Sequence, residues 1–130
     1  MRIALGAEPK EVRAARDLMV VFDHETDVAG LAPNLDGIAA LDTFAVIVTA
    51  PGREADFVSR FFAPWAGIDE DPVTGSAHCC LGPYWQKQLG KDEMMAFQAS
   101  ARGGVVRVRV IGNRVMLGGQ AVTVMKGSLL

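Results

Sequence analysis

The hydrophobic pattern of the chain changes period several times along its length. Residues 104–111 (GVVRVRVI) alternate, with Val106, Val108 and Val110 on one side and Arg107 and Arg109 on the other. A period of two predicts a strand with one buried face. Gly112-Asn113 predicts a two-residue hairpin turn. Strands over Arg114–Leu117 and Ala121–Met125 then complete an antiparallel meander. Upstream, the runs Asp17–Phe22 (DLMVVF), Thr43–Ala50 (TFAVIVTA) and Phe57–Phe62 are apolar and rich in β-branched or aromatic residues, and predict strands. Pro51-Gly52 ends the second of these, and the third pairs beside it. Met94–Ser100 predicts one more.

Two stretches read as helical. His24–Leu41 mixes small, acidic and apolar residues at helical spacing and predicts one or two short helices, interrupted by Pro33. Gly75–Leu89 predicts a longer helix, stopped by Gly90. In its first half, Ala77, Cys79, Cys80, Leu81, Tyr84 and Trp85 cover nearly the whole circumference. A helix apolar all round is expected to be buried all round. Pro83 removes one backbone hydrogen bond and is expected to bend it. Phe61, Phe62 and Trp65 are expected in the core. Many strands and one buried central helix predict an α+β fold: a curled, mostly antiparallel sheet around that helix, a half-barrel.

Composition narrows the function classes. A chain of 130 residues suits a single domain, residues 1–130, and 50% hydrophobic with 22% charged residues is globular rather than disordered. The formal net charge of −2 argues against a nucleic-acid partner, which calls for a basic surplus. No apolar run approaches the roughly 20 residues that cross a bilayer, so no membrane partner is expected. Met1–Gly6 is too short a run for a secretory signal. Cys79 and Cys80 are adjacent, and neighbours on a helix point about 100° apart. They are expected as reduced thiols of a cytoplasmic protein. His24 and His78 are the only histidines, and no Cys/His spacing makes a metal site.

The chemistry concentrates in residues 68–80, IDEDPVTGSAHCC. Gly75 and Ser76 stand where the helix begins, and first-turn amides favour an anion. Thr74 or Ser76 can cap the helix or contact that anion. Asp71 lies just outside the turn, flanked by Asp69 and Glu70, where a carboxylate can trade a proton. The plainer alternative is that Asp71 and Thr74 only cap a helix. His78, in the first turn, is expected to stay neutral beside the helix dipole and to bond a neighbouring strand. Arg102 is a candidate partner for a substrate carboxylate or for the acids at 69–71.

The block DPVTGSAH, followed by LGPYW and QASARGG, resembles the phenazine-biosynthesis (PhzF-like) isomerase family of the diaminopimelate-epimerase superfamily. The similarity extends through RDLMVVF, TFAVIVTA and RFFAP. The resemblance implies two similar lobes, each a curled sheet around a central helix, with a small carboxylate-bearing substrate in the cleft between them. It implies proton shuttling at carbon, isomerisation or epimerisation, without metal or organic cofactor. It gives Asp71 the catalytic role and Thr74, Gly75, Ser76, Gly103 and Gly104 substrate binding, the last two as backbone donors. The cysteine pairs of the superfamily's epimerases act from opposite lobes, so Cys79 and Cys80 are expected as small core residues. Only the second, C-terminal lobe is matched. Nothing in residues 1–66 resembles the first-lobe glutamate motif, as if a full-length protein had been cut in two. The implied partner is a separate first-lobe chain or, through homodimerisation, a second copy. The alternatives are a non-catalytic homodimeric binding protein and an inactive fragment.

Overall fold

The computed structural model describes residues 5–129. Met1–Ala4, the start of the Met1–Gly6 run, lies outside them. The architecture is one mixed sheet with helices on both faces. Strands β1 (Glu11–Ala14), β2 (Leu18–Val21), β3 (Val46–Pro51) and β4 (Phe57–Ala63) form the first half. Helices α1 (Glu25–Ala29) and α2 (Leu35–Ala39) connect β2 to β3. After β4 come a short β5 (Ile68–Asp71), the long helix α3 (Gly75–Leu89), and strands β6 (Glu93–Gln98), β7 (Gly104–Ile111) and β8 (Arg114–Gly118). The order across the sheet is β1-β2-β3-β4-β6-β7-β8, with β5 pairing β4 off this path. The pairs β2–β3 and β4–β6 are parallel and the others antiparallel. Each parallel pair requires a crossover, and α1–α2 and β5–α3 lie within these two.

The sheet has two cores. On one face α3 packs through Ala77, Leu81 and Trp85 against Ile47, Phe57, Phe61, Ala96 and Val108. On the other, Val28 of α1 and Ile38 of α2 pack against Val20, Val46, Val48, Val58 and Phe62. Central strands covered on both faces read as continuous apolar runs, hence VIVTA and FVSRFFA. Strands β6 and β7 are covered on one face only and alternate, burying Met94, Ala96 and Gln98, then Val106, Val108 and Val110.

Four expectations are corrected. Residues 121–125 form no strand, and Val122, Val124 and Met125 are 84–90% exposed. Alternation makes a strand only where a neighbouring backbone accepts its hydrogen bonds, and the chain leaves the sheet after Gly118. Helix α3 buries one side, Ala77, His78, Leu81, Gly82 and Trp85, while Cys79 and Cys80 are exposed thiols. The sheet covers only the face it meets. Trp65 is 70% exposed, because it sits in a 3-10 turn that Gly67 ends with a φ of 80°. Strands β1 and β5 were not predicted: each is four residues long, too short for a period to show.

Candidate active site

The acidic stretch leaves the sheet along β5 and enters α3 at Thr74, the N-cap residue. Its hydroxyl makes no cap bond to the helix and instead donates to the Asp71 carboxylate. The turn is held from below by β6. Gln98 is fully buried; its Oε1 accepts from the Thr74 amide at 2.8 Å. Its Nε2 donates to the Asp71 carbonyl at 2.7 Å and to Thr74 Oγ1 at 3.1 Å. Two residues on, Ser100 Oγ donates to the Pro72 carbonyl at 2.9 Å and accepts from the Gly103 amide at 3.0 Å. The Gly103 amide is thus engaged within the fold, and so is the Thr74 hydroxyl.

The two glycines of the RGG turn have separate reasons. Gly103 adopts a φ of 69°, which glycine tolerates without strain. A Cβ on Gly104 would stand 2.3 Å from Val73 Cγ2. Val73 is β-branched and precedes the N-cap, so it has little rotamer freedom to yield. Gly104→Ala is expected to lower stability by about 1–3 kcal/mol through this overpacking. Urea unfolding of the two proteins, followed by tryptophan fluorescence, measures the difference.

The charged residues divide up differently from the sequence expectation. Glu70 is taken by Arg60, in a bidentate pair at 2.7 and 3.0 Å, and Arg60 also donates to the carbonyls of Val28 and Leu31. Arg102 instead lines a groove of about 690 Å³ together with Val73, Gly75, Gly103, Gly104 and Leu117. The groove thus gathers Gly75, Gly103 and Gly104. Asp71, Thr74 and Ser76 are not among its walls, and Asp71 is linked to them through Thr74. A second cation stands at the helix start: Arg16 pairs with the buried Asp17 at 2.7 Å, and its Nη2 lies 3.5 Å from Ser76 Oγ. Sequence reasoning missed Arg16 and Gln98. The readable signal for Gln98 was a polar residue at an inward position of an alternating strand.

His78 is fully buried and bonds within its own helix turn rather than to a strand. Its Nδ1 is 2.7 Å from the Thr74 carbonyl. A carbonyl only accepts, so Nδ1 carries the proton and Nε2 is the acceptor. Nε2 has no protein partner, nor does the buried Ser59 Oγ. Burial pushes the imidazole below its ordinary pKa of 6.5, opposed by the Thr74 bond. The unfolded chain then binds the proton more readily than the folded one. Stability is therefore expected to be flat above the unfolded value and to fall as the pH drops below 6.5. Urea midpoints between neutral and mildly acidic pH should decline in the wild type, and decline less in His78→Gln. Partial burial and Asp17 push the Cys80 thiol above its ordinary pKa, which favours its protonated form. No cluster of metal-ligating side chains occurs among the described residues. None of their helices is long and apolar enough to cross a membrane.

The sheet-dominated α+β fold defines a structural class that solved structures share. The chain belongs to the phenazine biosynthesis-like protein family, whose model matches residues 6–127. It is 48% identical over 129 residues to an uncharacterized isomerase of Halalkalibacterium halodurans, covering 97% of this chain and 49% of the relative. A PhzF-family crystal structure from Enterococcus faecalis superposes with a TM-score of 0.89 at 46% identity, over 91% of this chain and 46% of that one. A PhzC/PhzF protein from Clostridium difficile gives 0.87 at 42% identity, over 95% and 48%. The chain spans about half the length of the curated relatives it matches.

Proposed function

We propose that this chain is the second lobe of a PhzF-like isomerase or epimerase. In this reading it supplies one wall of a cleft that binds a small carboxylate-bearing metabolite. Asp71 exchanges a proton with a substrate carbon, and the opposing acid–base group comes from a first lobe. That lobe is a separate chain or, in a homodimer, a second copy. The observation that carries the reading is the diverted cap: a Thr74 hydroxyl committed to Asp71 serves the carboxylate, not the helix. The first-turn amides at Gly75 and Ser76, with Arg16 beside them, then suit an anionic substrate group. Exposed Met95, Phe97, Val105 and Met116 on the sheet and Val122, Val124 and Met125 beyond it give a partner apolar surface to cover. Two unpaired, exposed thiols are compatible with a reducing, cytoplasmic setting.

Titration with citrate or a small aromatic carboxylate tests the binding half of this reading. Saturation near a hundred times Kd is expected to stabilise the fold by about 2.7 kcal/mol and raise the melting temperature. Gly75→Pro keeps a residue suited to the first helical position but deletes its amide, and should abolish the response. Equal responses from both proteins would place the anion elsewhere.

A further inference from the structure

We propose that Gln98 is the positioning residue of this site: through Thr74 it fixes which way the Asp71 carboxylate faces. The inference rests on the reading of Asp71 as the reacting carboxylate. Gln98 stands at the last position of β6 and opposite Ser59 of β4, on the side of the sheet that faces α3. Its single amide closes the whole Asp71–Thr74 turn. The orientation of that amide follows from its partners. The Thr74 backbone N–H can only donate, so it faces Oε1; the Asp71 carbonyl can only accept, so it faces Nε2.

Once Nε2 also donates to Thr74 Oγ1, the polarity of the hydroxyl is set. Its oxygen is occupied as an acceptor, and its proton points to Asp71 Oδ2. A one-way chain runs from amide to hydroxyl to carboxylate, each bond polarising the next. One carboxylate oxygen is thereby pinned, leaving Oδ1 as the oxygen available to the reacting carbon. No other side chain of similar length offers an acceptor and a two-proton donor in one plane. Methionine has the reach without the bonds. Glutamate would set an oxygen against the Asp71 carbonyl.

The test has two arms. On the purified chain, the Thr74 hydroxyl proton should exchange slowly enough to be seen by NMR, with a cross-peak to Asp71, and should be lost in Gln98→Met. In the chain combined with a first lobe from a full-length relative, Gln98→Met is expected to lower kcat by about 10²-fold with little change in KM, the effect of a misplaced group. Should Gln98→Met fail to fold, Thr74→Val breaks the same chain and leaves the Gln98 backbone contacts intact. It should lower kcat alike, whereas Thr74→Ser, which keeps the hydroxyl, should retain it. An unchanged hydroxyl signal in Gln98→Met, or a Thr74→Val enzyme as fast as wild type, overturns the proposal. An inactive wild-type combination counts against the proposed function, while the hydroxyl measurement still decides the role of Gln98.

Discussion

Purified alone, the 130-residue chain is expected to show no detectable isomerisation of a dihydro-hydroxyanthranilate-type substrate. Activity should emerge when a first lobe carrying its glutamate is added. Moving a proton from one carbon to another needs a base to remove it and an acid to return it, each placed within hydrogen-bond reach. Of the three acids crowded at the turn, Glu70 is neutralised by Arg60 and only Asp71 is tied into the Thr74–Gln98 network. On the proposed reading, a partner brings the second group. In the combined system, Asp71→Asn keeps the shape and the bond accepted from Thr74 but removes the proton-transfer function. It should cost about 10²–10⁴-fold in rate, the usual contribution of a positioned acid or base. Steady-state assays of the chain, the mixture and the mixed variant decide the matter. Turnover by the chain alone, lost in Asp71→Asn, would show that one lobe suffices.

The largest effect on stability is expected at Trp85. It is 3% exposed, stacks on Phe57 with ring centroids 5.6 Å apart, and meets Tyr84 edge-on at 5.2 Å. Its Nε1 donates to Thr49 Oγ1 at 3.0 Å. Trp85→Ala removes the side chain that fastens α3 to the middle of the sheet and leaves a cavity there. The expected cost is about 3–5 kcal/mol, against a total stability of about 5–15 kcal/mol for a native domain. Trp85→Phe keeps the ring stack and loses the hydrogen bond. Thr49 still donates to the Val58 carbonyl at 2.7 Å, so no donor is stranded. That variant should lose only about 1–2 kcal/mol. Chemical unfolding monitored by circular dichroism gives both values. A Trp85→Ala protein as stable as Trp85→Phe would mean that α3 is held elsewhere.

What the sequence conveyed depended on whether a residue's environment repeats. The strands at 18–21, 46–51, 57–63 and 104–111 and the helix at 75–89 were legible, because many neighbours share one pattern. The apolar runs of β3 and β4 marked strands but did not disclose that both of their faces are covered. The exposed side of α3 was not, since cysteine and alanine look alike whether or not a sheet covers them. Trp65 shows the same limit: hydrophobicity says what a residue would prefer, and the turn at Gly67 decides where it goes. At the site, the DPVTGSAH block and the QASARGG segment were both visible, but not that the second holds the first. Gln98 and Ser100 meet residues more than twenty positions away, and no local period records such a contact. Arg16, sixty positions from Ser76, was hidden for the same reason.

The sheet is open at both ends of its strand order. Its two margins, β1 and β8, are unlike. Along β1, Glu11 and Arg13 pair with each other, and Lys10 beside it pairs with Asp23. Such charges guard an edge against further strands. Along β8 the middle residues are Val115, Met116 and Leu117, with no acid or base between Arg114 and Gly118. A sheet that can be extended at one margin only cannot grow without limit. On the homodimer reading, two such chains meeting β8 to β8 about a two-fold axis would cover each other's open margin, and association by strand addition would stop at a closed pair instead of running on into a fibre.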